Sequence, residues 1–292
     1  MQDTNSLDKG VSGFKRNFIE LSNGVRMHYL DEGQGPEPML FIHGTPVSSY
    51  VYRHFIDEFR TRYRTLAPDI AGFGYSNLPP EGACTPAQHA AHLEEFILKL
   101  NLNNITLVVH DFGGPIGLSF AVKYPERIKR IVVFNTWAWD LRGSNSKAEK
   151  FIRFVASPLG KAIYLNWIYS AGPLLPHIYY DKSKLTKEIH AVYRNAFAHR
   201  KSRMATWTLA RELVHSGDWY NSIFMKIENL EKIPKIFIWG ENDPSVSVKY
   251  MGIWKNIFPQ AEFHSLAECG HFVQEEKHAE AIDLIHDFLE RH

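Results

Sequence analysis

A chain of 292 residues is long enough for one large α/β domain or for a core carrying an inserted lid. Its 45% hydrophobic and 22% charged residues are ordinary for a soluble globular protein, and its net charge of +1 gives no reason to expect nucleic acid or an anionic membrane as a partner. The two cysteines, Cys84 and Cys269, lie far apart without metal-ligand spacing and fit a reduced cytoplasmic setting. No N-terminal apolar h-region and no run of about 18 apolar residues is present, so nothing suggests export or membrane spanning.

Residues 1–13 are polar and glycine-containing and read as a loose arm. Residues 14–30 read as two strands around Ser22-Asn23-Gly24, an Asn-Gly hairpin signal. The apolar strand Met39–Ile42 runs into His43-Gly44-Thr45-Pro46, and a helix follows over Tyr50–Arg60. A strand at Arg64–Ala67 leads to the loop Pro68–Ser76. Thr85–Leu100 has helical periodicity, with Thr85 as N-cap and Pro86 at the first helical position. On that helix His89 and His92, three residues apart, read as part of a surface face. Two more buried strands read at 105–109 and Ile131–Phe134, separated by a helix ending near Tyr124. From about 140 to 220 the chain is aromatic-rich and helical, without a convincing strand. Alternation resumes with Lys235–Trp239, a strand at Ala261–His264 and a final helix near His278–Arg291. This order predicts a mostly parallel sheet flanked by helices, with a helical cap at 137–220 inserted into a core of 14–136 and 221–292.

The segment Ile105-Thr-Leu-Val-Val-His-Asp111-Phe-Gly-Gly114 carries the chemistry. A buried strand stops at Asp111, two glycines follow, and a helix begins, which is the layout of a nucleophile elbow. A hydroxyl there must lose a proton to attack, whereas a carboxylate with a pKa near ~4 is already ionised at neutral pH. Asp at this point suggests an alkyl-ester intermediate, formed by attack on carbon bearing a leaving group. By itself the motif leaves open an Asp that merely caps the next helix.

Two further segments fall where such a nucleophile needs them. Gly240-Glu241-Asn242-Asp243-Pro244 places carboxylates at the end of a strand, and Glu268-Cys-Gly-His271 puts a histidine on the loop after the last one. The order Asp111, Asp243, His271 is the nucleophile, acid, base order of α/β-hydrolases. His271 would activate the water that hydrolyses the ester, with Asp243, rather than the competing Glu241, fixing its tautomer. The backbone N–H groups of Thr45 and Phe112 are the candidate oxyanion hole. No metal and no organic cofactor is implied. The expected partners are water and a small, mostly apolar organic substrate, with no nucleic acid or membrane, and oligomeric state is left open.

Taken with His43–Tyr50, Pro68–Ser76 and Gly270-His-Phe-Val-Gln274, these motifs resemble the haloalkane dehalogenases and their near relatives, the epoxide hydrolases. The resemblance covers the core from about residue 18 to the end, but not the cap. It implies the α/β-hydrolase fold, Asp111 as nucleophile, His271 as base and Asp243 as acid, since Asn135 stands where one dehalogenase branch keeps a Glu. Dehalogenases usually place a Trp after the nucleophile to hold the departing halide. Here that residue is Phe112, without a donor, and Thr45 stands where the second donor is often Asn. Trp137 and Trp139 are candidates for a leaving-group donor, and Tyr164, Tyr169, Tyr179, Tyr180 and Tyr193 for the acid an epoxide hydrolase would need. Hydrolytic dehalogenation of a small haloalkane is the leading expectation. Epoxide opening, ester or lactone hydrolysis, and a receptor built on the same fold remain alternatives.

Overall fold

The computed structural model describes residues 14–143 and 147–292, so the polar arm expected over residues 1–13 lies outside it. Eight strands form one sheet: β1 (Arg16–Glu20), β2 (Arg26–Glu32), β3 (Pro38–Ile42), β4 (Arg64–Pro68), β5 (Ile105–Val109), β6 (Ile128–Phe134), β7 (Lys235–Gly240) and β8 (Glu262–Leu266). Their order across the sheet is β1-β2-β4-β3-β5-β6-β7-β8, with β2 antiparallel to both β1 and β4 and all other pairs parallel. The Asn-Gly signal is met: Glu20 pairs with Arg26 across the turn.

The middle strands β3, β5 and β7 are buried at every residue, as strands covered on both faces must be. Alternate side chains go to opposite faces. Leu40, Ile42, Leu107 and Val109 join one apolar cluster, while Met39, Phe41 and Val108 join the other. The core is therefore two layers divided by the sheet.

The helices that build these layers are α1 (Arg53–Phe59), α2 (Pro86–Lys99) and α3 (Gly113–Lys123), in chain order. Between β6 and β7 the described residues form helices only: α4 (Lys147–Ala156), α5 (Pro158–Asn166), α6 (Lys187–Ala196), α7 (Arg200–His215) and α8 (Gly217–Phe224), with short 3-10 and π turns. Val155, Tyr164, Leu165 and Trp207 give α4, α5 and α7 a small apolar core of their own. After β7 come α9 (Lys249–Ile257), the single turn α10 (Val273–Glu276) and α11 (His278–Arg291). The helix expected over Tyr50–Arg60 begins instead as a 3-10 turn at Ser49–Tyr52, where Ser48 accepts from the Tyr50 N–H. No helix among the described residues is long and apolar enough to cross a membrane.

Helix α2 has the expected Thr85 cap, with Gln88 completing a capping box. One expectation about it is corrected: His89 and His92 do not form a surface face but are 1% and 5% exposed. They share the inward stripe with Leu93 and Phe96, at spacings of three, four and seven residues, so the helix turns them toward the protein.

Glycines set how closely the elements approach. A Cβ on Gly114 would sit 1.7 Å from Thr136 Oγ1, whereas one on Gly252, exposed within α9, meets nothing within 4 Å. Gly114→Ala is expected to destabilise by about 1–3 kcal/mol through overpacking. Gly252→Ala is expected to stabilise by up to about 1 kcal/mol through helix propensity. Denaturant midpoints of the two variants check both signs.

Candidate active site

Asp111 stands between the end of β5 and the start of α3, with φ +51°. Its N–H donates to Asn135 O (3.0 Å), and its C=O accepts from Thr136 Oγ1 (2.6 Å) and the Gly114 N–H (2.9 Å). A Cβ on Gly113 would come within 2.1 Å of Ile42 O, and one on Gly44 within 2.3 Å of Asp111 Oδ2. The turn can close only because both positions lack a side chain.

The two expected oxyanion donors already hold the Asp111 carboxylate. The Thr45 N–H donates to Oδ2 at 2.8 Å, and the Phe112 N–H also bonds this carboxylate. The chain just after Thr45 is held, at Ser49, by a buried anchor. Asp69 accepts from the Ser49 N–H (2.7 Å), the Tyr75 N–H (3.0 Å) and His28 Nδ1 (2.8 Å). Burial opposes the Asp69 charge, but His28, His43 and these donors hold the carboxyl down at about 2.

His271 Nδ1 lies 2.7 Å from Asp243 Oδ2, and its Nε2 lies 3.8 Å from Asp111 Oδ1. Because Asp243 can only accept when ionised, the ring proton belongs on Nδ1, leaving Nε2 toward Asp111. The Asp243 carboxylate is itself fixed by Asn135 Nδ2 (2.8 Å) and by the N–H groups of Ser245 (2.7 Å) and Val246 (3.0 Å). Glu241, the competing acid, points away and accepts from Ser265 Oγ at an exposed position.

Sequence reasoning missed the supporting groups. Asn135 both donates to Asp243 and accepts from the Gly240 N–H (3.0 Å), joining the ends of β6 and β7. His110 Nε2 bonds His271 O at 2.9 Å beneath the site. The only signal was position, an Asn at a strand end and a His before the elbow, and position alone does not reveal a partner 108 or 161 residues away.

These groups open onto a cavity of about 430 Å³, lined by core residues such as Thr45 and Phe112, by Trp137 just after β6, and by helical-segment residues such as Val155, Leu174 and Leu213. Of the two candidate tryptophans, Trp137 lines it and Trp139 does not: Trp139 packs edge-on against Trp254 and Tyr250. The Trp137 ring lies edge-on to Phe112 at 5.1 Å, and its indole N–H is buried without a partner, as is Thr45 Oγ1. Of the five candidate tyrosines only Tyr164 is among the lining residues; Tyr193 is turned to Glu275, its hydroxyl bonded to Oε1 at 2.5 Å.

Burial raises the Asp111 carboxyl above its ordinary value, opposed by His271 and the two backbone donors. Burial alone would lower His271, but the charge and hydrogen bond of Asp243, with the charges of Asp111 and Glu276, lift it above the ordinary histidine range. His110, equally buried and beside His271, is held well below that range, so it stays neutral.

Comparison with known proteins gives a consistent context. Residues 37–157 and 179–278 match the model of the alpha/beta hydrolase fold family. A Shewanella oneidensis protein, cis-3-alkyl-4-alkyloxetan-2-one decarboxylase, is 30% identical over 285 residues, covering 94% of this chain and 88% of its own. Haloalkane dehalogenase 2 of Mycobacterium tuberculosis is 29% identical over 271 residues, covering 92% and 93%. The crystal structure of haloalkane dehalogenase DatA from Agrobacterium tumefaciens superposes with a TM-score of 0.85 at 22% identity, over 97% of this chain and 98% of that one.

With Asp243 neutralised, burial acts on His271 with less opposition. Asp243→Asn is therefore expected to move the His271 titration downward, read from its ring-proton shifts by NMR. An unchanged or upward titration would mean that this pair does not set the histidine's charge.

Proposed function

Because the chain belongs to the α/β-hydrolase fold family, we propose that it is a hydrolase working through an alkyl ester on Asp111, with hydrolytic dehalogenation of a small haloalkane as its reaction. The observation that carries this reading is the carboxylate at the elbow, within 3.8 Å of a histidine already paired to a second carboxylate. A hydroxyl nucleophile would need that histidine to attack; Asp111 does not, which frees His271 for water. Residues 137–220 act as a cap over the core of 14–136 and 221–292, closing the cavity around a mostly apolar substrate.

In the first step a carboxylate oxygen of Asp111 attacks the carbon and displaces the halide. The oxygen held by the Thr45 N–H becomes the ester carbonyl. In the second step His271 Nε2 takes a proton from water, which attacks Asp111 Cγ. The oxyanion that develops stays under the Thr45 and Phe112 N–H groups, each worth ~10²–10³-fold in reactions of this kind. Asp243 stabilises the imidazolium until the alcohol leaves. The unpartnered Trp137 N–H is the donor available to the departing anion, and Phe112 supplies no second one.

A second reading is favoured by that single donor and by the Shewanella relative's name: opening of a strained oxetan-2-one, where the leaving carboxylate stays tethered and ring strain assists departure. It uses the same attack by Asp111.

His271→Phe should retain alkylation and lose ester hydrolysis, with turnover falling by roughly 10²–10⁴-fold. Intact-protein mass spectrometry after 1-bromobutane should then show a butyl adduct mapping to Asp111. A whole-lactone adduct with a dialkyl oxetan-2-one, and none with the bromide, would select the second reading, and an adduct with styrene oxide alone would select epoxide opening. No adduct with any of the three overturns the ester mechanism. Trp137→Phe should slow bromide displacement by about 10–100-fold, the rate equivalent of a lost hydrogen bond to a charge of roughly 1.5–3 kcal/mol.

The pH dependence separates the steps. Water activation needs neutral His271, which Asp243 and Glu276 still lift once the Asp111 charge is gone, so ester hydrolysis should weaken as pH falls. Alkylation fails only when Asp111 is itself protonated. Rapid-quench mass spectrometry of the unmodified enzyme at pH about 5.5, below the ordinary histidine value, should show ester that is absent at pH about 8.

A further inference from the structure

Outside the catalytic site, the start of α2 brings together three side chains the reaction does not use. The Sγ of Cys84 and a ring nitrogen from each of His89 and His92 all lie within 4.8 Å of one another, and all three residues are buried. We propose that Cys84, His89 and His92 form a zinc site, Cys-His-His with a fourth position for water, that braces the start of α2 against the β1–β2 hairpin.

The unsatisfied imidazole is the independent observation. His89 is 1% exposed, and neither of its ring nitrogens has a hydrogen-bond partner. Neutral imidazole always carries one donor and one acceptor, and native interiors rarely leave both unmet. His92 Nδ1 is also buried without a partner, while its Nε2 contacts the Asn23 amide at 2.7 Å. In that contact Asn23 Nδ2 donates and Nε2 accepts; with zinc on Nδ1 the ring proton moves to Nε2, and the Asn23 amide must turn its oxygen to accept it. That turn exchanges the 3.3 Å bond from the Val25 N–H to Asn23 Oδ1 for the one from His92, with Asn23 still part of the hairpin.

Local structure explains the juxtaposition. Thr85 caps α2 and Pro86 opens it, so Cys84 ends the preceding loop directly over the first turn. His89 and His92, at i and i+3, lie on one face of that turn and the next. One thiolate and two imidazoles without carboxylate or carbonyl oxygens suit zinc rather than calcium or magnesium. Zinc bonds of about 2.0–2.3 Å put ligand atoms roughly 3.3–3.7 Å apart in a tetrahedron, so the side chains need close by no more than about 1–1.5 Å. On binding, the Cys84 thiol proton passes to solvent and the sulfur–zinc bond forms, leaving a site charge of +1.

The test uses the full chain after chelator treatment. One equivalent of Zn²⁺ should bind and raise the melting temperature, as any ligand selective for the folded state does. Co²⁺ in the same site should give tetrahedral d–d bands and a near-ultraviolet thiolate charge-transfer band. Cys84→Ser should abolish the charge-transfer band, and Cys269→Ser, altering the other thiol, should keep it. Cys84→Ser and His89→Gln should each weaken Zn²⁺ binding by at least about 10–100-fold, the loss that even an outer-shell change produces. Circular dichroism of each variant establishes that it is folded, and His92→Gln provides a third, less buried change. Absence of stoichiometric zinc, or a thiolate band that survives Cys84→Ser, overturns the proposal. Zinc held only by surface histidines would appear as binding indifferent to all three substitutions, and overturns it equally.

Discussion

Asp111 holds a backbone conformation that residues with side chains seldom adopt, and the surrounding structure is arranged to keep it there. Thr136 Oγ1 takes its carbonyl, Asn135 O takes its N–H, and Gly44, Gly113 and Gly114 let Ile42, Thr136 and the Asp111 carboxylate approach without a Cβ between them. The strained turn lifts the carboxylate off the sheet and onto the Thr45 N–H, with its other oxygen toward His271. Had the turn relaxed, β5 would run straight into α3 and the carboxylate would leave both partners.

Charge placement follows from that turn. His271 sits between two carboxylates, 2.7 Å from one and 3.8 Å from the other, with both nearly removed from water. Burial opposes every charge in the group, so its charged states depend on one another and on the backbone donors around them. Alkylation of Asp111 would remove one of the charges that lift His271. The ring would then be less basic and would lose a proton more readily, so it would be neutral over a wider range of pH.

The helical segment is joined to this group by a second set of buried acids. His271 N–H donates to Ile178 O, and Glu276 accepts from the N–H groups of Gly270, Tyr180 and Asp181. Its neighbour Glu275 is held by both terminal nitrogens of Arg53 at 2.6 Å and by the Tyr193 hydroxyl. The turn after His271 thus locks the backbone of the His271 loop to the segment that walls the cavity. Displacing that segment would disturb His271 directly, so cavity shape and the position of the imidazole are mechanically linked.

The sequence by itself determined the fold and the main chemical groups. Apolar runs of strand length, the Asn-Gly turn, the Thr85-Pro86 helix start and the glycines after Asp111 are local signals, set by backbone sterics and by which side chains avoid water. The order Asp111, Asp243, His271 was legible because each residue follows a strand that could be recognised on its own. Tertiary structure decided whatever depended on distant partners. It paired Asp243 rather than Glu241 with His271, set Asn135 behind Asp243, and put Trp137 on the cavity while turning Trp139 onto Trp254. It also buried His89 and His92, whose helix could have presented that stripe to water had no hairpin and loop covered it. Periodicity tells which residues share a face; only the packing of other elements decides which face is inside.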